Sequence, residues 1–198
     1  MAPDDTVARR VLEATKRCLE RWGFAKLTIE DIANEARVSR ATIYRMFPGG
    51  KDVLFEAMRV HELQEFFDDL QSEVVGANSL EDLLVRTVVT ATRRLREDEH
   101  LALMLAAEPG TILSQLTSAG VPRIIRMATT FLVPFAEPYL SRDQSVAVID
   151  VLSRLTISYF LAPSEVVDLG DSDSARAFLA PFITTLAPSA TYQAGVQT

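Results

Sequence analysis

The segment Leu27 to Lys51, LTIEDIANEARVSRATIYRMFPGGK, is where residue types and spacing could do chemistry. Between Ala36 and Lys51 it carries Arg37, Arg40, Arg45 and Lys51 and no acid. Cationic groups gathered without counter-charge suit phosphate, and an arginine fork also matches the O6/N7 edge of guanine. Ser39 is an N-cap candidate for a short helix over Arg40 to Phe47, with Ile43 and Phe47 inward at i, i+4. Upstream, Thr28 opens a capping-box-like Thr-Ile-Glu-Asp, and Ile29, Ile32, Ala33 and Ala36 give the apolar face of a helix over Ile29 to Ala36. Two short helices joined by Arg37-Val38-Ser39 make a helix-turn-helix, whose second helix can enter the major groove of DNA. With Ala33, Val38, Ile43 and Phe47 pinning the pair, Arg40, Ala41, Thr42, Tyr44 and Arg45 project outward. Arg40 suits a guanine edge, Ala41 a thymine methyl, Thr42 a base or phosphate, and Tyr44 and Arg45 phosphates. Thr28 offers a hydroxyl at a helix N-terminus, and Lys51 could clamp the backbone from the next helix. The competing reading is a basic helical face that never meets DNA.

The rest of the chain must position this unit, and its periodicity is helical almost throughout. Val11, Thr15, Cys18 and Trp22 form one stripe on a helix from about residue 6 to Trp22, with Gly23 as a positive-φ stop. After Pro48-Gly49-Gly50, helices are predicted over Asp52–Val75, from Ser79 to about Arg96, Glu99–Ala107, Val121–Pro138 with Pro134 inside, Asp143–Ala162, and Ser174–Leu186 with Pro181 inside. No strand-length alternation occurs. The fold class is therefore all-α. The expected domains are a helix-turn-helix unit over residues 1–50, a larger helical body over 51–188, and a flexible tail over 189–198.

Composition limits the function further. The 198 residues carry a net charge of −7, which taken globally argues against nucleic acid. The charge is uneven, however: residues 1–60 hold 11 Lys or Arg against 9 Asp or Glu, and the remaining 138 hold 9 against 18. Screening over roughly 10 Å makes phosphate attraction local, so an acidic body does not veto a basic tip. One cysteine rules out an internal disulfide scaffold and fits a reducing compartment. No uninterrupted apolar run reaches 18 residues, and Met1-Ala-Pro-Asp-Asp lacks an export signature. The expectation is a soluble, cytoplasmic protein away from membranes. His61 and His100 show no metal or catalytic spacing, and GxSxG, CxxC and phosphate-cradling glycine loops are missing from the sequence. Neither enzymatic activity, cofactor nor metal is expected.

Gly23-Phe24, Thr28, Ile32-Ala33, Glu35-Ala36, Val38-Ser39, Thr42-Ile43-Tyr44, Phe47 and Lys51-Asp52 resemble the N-terminal signature of TetR-like transcriptional regulators. The resemblance covers about 50 of the 198 residues. It implies a fold of about nine helices and a homodimeric repressor of a double-stranded DNA operator, with a small-molecule effector bound in the C-terminal body. It also implies DNA-contact roles for Thr28, Arg40, Ala41, Thr42, Tyr44, Arg45 and Lys51, to which Arg37 and Ser39 at the turn are added. Arg37 stands where that family usually has glycine. Either the turn relaxes, or Arg37 takes a strained conformation that a phosphate contact offsets.

Candidate pocket walls are Leu63, Phe66, Phe67, Leu84, Val88, Leu103, Met104, Met127, Phe131 and Phe135; plain core packing is the alternative for each. Few polar residues point inward by pattern, which suits an apolar or amphipathic effector. The helix Asp143–Ala162 is apolar nearly all round, and Phe178, Phe182 and Leu186 recur every four residues on the last helix. Leu152, Leu155, Tyr159, Phe178, Phe182 and Leu186 are thus dimer-interface candidates, against the alternative of an internal core helix. A helical small-molecule carrier or interaction module without DNA binding remains the competing function.

Overall fold

The computed structural model describes residues 3–98, 101 and 120–186. Among them are eight α-helices and no strands: α1 (Pro3–Lys26), α2 (Ile29–Ala36), α3 (Arg40–Met46), α4 (Lys51–Val74), α5 (Leu80–Glu97), α6 (Val121–Ala136), α7 (Arg142–Leu161) and α8 (Ser172–Leu186). The helix expected over Glu99 to Ala107 lies, but for Leu101, outside the described residues, as does the tail expected over 189–198.

Two compact units divide the chain, residues 1–65 and 66–198. The division falls inside α4, beyond the boundary expected at residue 50. Leu54, Phe55 and Met58 on the first half of α4 are the reason: they are buried in one cluster with Val11, Cys18, Leu27, Ile32, Ala33, Ala36 and Ile43. Burying such side chains is worth about 1.5–3 kcal/mol each, so the fourth helix is part of the N-terminal core. Gly23 interrupts α1 with φ 72° and ψ 163°, the positive φ its type allows. Buried Thr15 satisfies its hydroxyl by donating to the Val11 carbonyl at 2.7 Å. Gly49 (φ 125°) and Gly50 (φ 74°) let the chain turn sharply from α3 into α4.

In the second unit, α6 packs on α7 and α8 packs on α5. Leu84, Val85, Val88 and Val89 of α5 share a core with Leu152 of α7 and with Ala175 and Leu179 of α8. Polar ties fasten the loop before α8: Arg93 Nε donates to the Gly170 carbonyl at 2.7 Å, and Arg96 pairs with Asp168 at 2.8 Å. Ser79 and Ser141 cap α5 and α7, the latter through a reciprocal box with Gln144.

Helix α7 is long and apolar enough, by length and composition, to cross a membrane, with mean hydropathy 1.2 over its best 18-residue window. The sequence showed no such run because Asp150 and Arg154 interrupt it. These two form an ion pair at 2.8 Å, and a charge pair in mid-helix is costly in hydrocarbon. Only 28% of the window is buried within the chain, and Val146 and Val151 are exposed.

Candidate nucleic-acid interface

The two short helices are built as their sequences dictate. Thr28 caps α2: its hydroxyl accepts the Asp31 N–H at 3.2 Å, and Asp31 Oδ2 accepts the Thr28 N–H at 3.0 Å and the Thr28 hydroxyl at 2.6 Å. Those two donors hold the Asp31 carboxyl below its ordinary range. The charge-dependent part of this cap is complete at neutral pH and is lost as pH falls through that lowered value. Thr28 therefore spends its hydroxyl on the cap, and a phosphate there would meet the Asp31 charge.

The turn does not relax around Arg37. This residue sits at φ 53° and ψ 48°, the one non-glycine with positive φ among the described residues. Val38 N–H reaches back to the Ala33 carbonyl at 3.0 Å and closes α2 in a Schellman arrangement. Left-handed backbone costs a non-glycine residue about 1–2 kcal/mol. Part of any gain on substitution is offset by the freedom glycine adds to the unfolded chain, about 0.4–1 kcal/mol. Arg37→Gly should raise stability by about 0.5–1 kcal/mol, read as a higher midpoint in thermal unfolding. A lower midpoint would show that the arginine makes contacts worth more than the strain.

Ser39 caps α3, accepting the Thr42 N–H at 3.1 Å and lying 2.9 Å from the Thr42 hydroxyl. Ile43 is the fully buried residue of α3, and Phe47 closes the helix at 9% exposure. The remaining positions face outward. Arg40, Ala41 and Arg45 are exposed and Thr42 is half-buried. Tyr44, a large aromatic, is left 52% exposed. Half-buried Lys51 holds its ammonium 5.7 Å from the centre of the Phe55 ring, at the start of α4. Arg40, Ala41, Tyr44 and Arg45 thus share one solvent-facing surface with the Arg37 turn at its end. Arg40 carries a contact the sequence did not reveal: its Nη1 lies 3.1 Å from Glu30 Oε2 in the first turn of α2.

The pocket candidates separate. In the second unit Phe66, Phe67 and Phe131 meet, with Phe66 edge-on to Phe67 at 5.3 Å and Phe67 stacked on Phe131 at 5.5 Å. Leu84 and Val88 do not join them; they fill the core shared by α5, α7 and α8, because that face of α5 is covered by α8. Phe135 lines a small cavity of about 170 Å³ with Val74, Leu83, Pro134 and Tyr139. Met127 is half-buried on α6, and Leu63 is half-buried in the first unit. Leu103 and Met104 lie outside the described residues. An open groove of about 590 Å³ in the first unit, lined by Leu12, Val53, Val60, His61 and Gln64 among others, was not anticipated.

Of the interface candidates, Leu152 is a correction. It is 6% exposed inside its own chain's core and has no surface to offer a mate. Leu155, Tyr159 and Phe178 are half-buried at the edge of that core, Tyr159 and Phe178 meet edge-to-face at 5.5 Å, and Phe182 is 52% exposed. Leu186 ends α8, and its side chain lies outside the described residues.

Residues 11–58 match the family of bacterial regulatory proteins, tetR family. Two uncharacterized HTH-type transcriptional regulators of Mycobacterium tuberculosis, from strains H37Rv and CDC 1551, are each 28% identical over 99 residues, which is 50% of this chain and 50% of theirs. The chain thus aligns with about half the length of these curated relatives. Among solved structures, the TetR family repressor AlkX from Dietzia sp. strain DQ12-45-1b superposes with a TM-score of 0.67 at 23% identity, covering 90% of this chain and 98% of that one. Salmonella enterica GusR does so with a TM-score of 0.53 at 22% identity, covering 94% of each chain. Residues 11–58 of this chain thus match the tetR-family model, and the chain shares the all-helical fold of the TetR family repressor AlkX.

Proposed function

We propose that this chain is a DNA-binding transcriptional regulator, a repressor that holds a palindromic operator as a homodimer and releases it on binding a small apolar or amphipathic effector. The observation that carries the reading is the outer face of α3. Arg40, Ala41, Tyr44 and Arg45 stand in solvent while Ile43, with Met46 and Phe47 at the helix end, holds the helix to the core. A tyrosine left 52% exposed beside the exposed Arg40 and Arg45 suits a face that meets a polyanion. Such a face satisfies both parts of groove recognition: base-reading side chains at the helix start and phosphate-binding groups along it. A protein working on the chromosome of a bacterium acts in the cytoplasm.

Two recognition helices about 34 Å apart read half-sites one helical turn apart, which is why a mate matters. The exposed apolar residues of α7 and α8, Val151 and Phe182 above all, support a two-fold contact. The aromatic group Phe66, Phe67 and Phe131 supports an apolar effector, which would act by preferring a dimer state whose helices miss the groove spacing. A preference of about 1–3 kcal/mol for that state is enough to weaken DNA binding several-fold to a hundredfold.

The test is selection of duplexes from a random-sequence DNA library, followed by a salt titration of the affinity. Regulator action predicts a steep linear fall of log affinity with log salt. Arg45→Ala should weaken all duplexes alike and reduce that slope by about 1. A flat salt response with no enriched sequence would instead identify a carrier or interaction module.

A further inference from the structure

We propose that Glu30 is a specificity-determining residue, acting on DNA through Arg40; this rests on the DNA-binding reading above. Three acids lie between Leu27 and Lys51: Glu30, Asp31 and Glu35. Asp31 is committed to the α2 cap, and Glu35 pairs with Arg17 of α1 at 2.8 Å. Glu30 turns to the recognition helix, placing Oε2 3.1 Å from Arg40 Nη1. The side chains are 57% and 66% exposed, so the pair adds little to stability. Its effect is on direction. A free arginine samples many rotamers, and ordering it on a base costs affinity that a preordered side chain does not lose.

The contact engages Nη1, which leaves the edge formed by Nε and Nη2 as a planar pair of donors. That pair matches the O6 and N7 acceptors of guanine. Glu30 can therefore stay bonded while Arg40 reads a base. The same carboxylate sits on the surface that meets phosphates, where it opposes every duplex regardless of sequence. Both effects point the same way: Glu30 lowers affinity for DNA in general and sharpens the choice among sequences, and specificity is the difference between the two.

The experiment measures affinity for the best duplex the wild type selects from a random library and for a scrambled duplex of equal length. It compares wild type, Glu30→Ala, Glu30→Gln, Arg40→Ala and the Glu30→Ala/Arg40→Ala double variant. Glu30→Ala should bind the scrambled duplex more tightly, and its selected-to-scrambled ratio should fall at least about threefold. Glu30→Gln, which keeps an acceptor and loses the charge, should recover part of the ratio while still binding the scrambled duplex tightly. In the Arg40→Ala background, removing Glu30 should leave the ratio unchanged. An unchanged ratio in Glu30→Ala, or an equal fall in both backgrounds, would overturn the proposal and leave DNA binding intact. A wild type without salt-steep binding would overturn both.

Discussion

Truncating Ile43 to alanine should cost the N-terminal unit about 2–5 kcal/mol, the range for emptying a fully buried isoleucine site. Ile43 is 0% exposed and is the fully buried side chain that α3 contributes, packed in one cluster with Ile32, Ala33 and Ala36 of α2 and Leu54 of α4. A helix of 7 residues has no stability of its own in water, so its order is borrowed from that contact. Loss of the anchor should unfold α3 before anything else and abolish duplex binding even where the rest of the chain stays folded. The single tryptophan, Trp22, lies in this unit and reports on it directly. Urea unfolding followed by its fluorescence should show the lower midpoint; a shift worth less than about 1 kcal/mol would mean that α3 is held by something other than Ile43.

Replacing Phe182 with glutamate should leave the monomer's fold nearly intact and break the assembly. In the single chain Phe182 is 52% exposed and touches Phe178 at 5.6 Å, so within that chain the change resembles a surface substitution, worth about 0.5 kcal/mol or less. If α7 and α8 form the two-fold contact, each interface receives two buried carboxylates, an arrangement that neither solvent nor partner compensates. Sedimentation should report half the wild-type mass. Affinity for a two-half-site duplex should fall by about 10²–10⁴-fold, the advantage a tethered second module confers. An unchanged mass would remove α8 from the interface.

Where local rules decide a structure, the sequence was enough. The span of α2, its Thr28 cap with the acid three residues on, the Ser39 cap and the inward Ile43 all follow from spacing within one or two turns, and each is found. Arg37 drew notice because the resembling family has glycine there, which left a relaxed turn or a strained arginine open, and it adopts φ 53°. Tertiary contacts were not legible. Periodicity puts Leu84 and Val88 on one apolar side of their helix and makes Leu152 an interface candidate, but does not show that the three share a common core. The break at Pro48-Gly49-Gly50 cannot show that Leu54, Phe55 and Met58 complete the core in front of it. Nor does spacing disclose that Glu30, ten positions away, meets Arg40, since that contact exists only once the turn has folded one helix against the other.

The placement of Cys18 has a chemical consequence. It is the sole cysteine, 2% exposed, and burial, followed by the charges of Glu35 and Asp31, pushes its pKa up. Little thiolate exists at neutral pH, and oxidants and alkylating agents reach the sulfur only when the N-terminal helices part. The N-terminal unit is thereby insulated from peroxide and disulfide stress at this thiol, and the thiol makes a poor redox sensor.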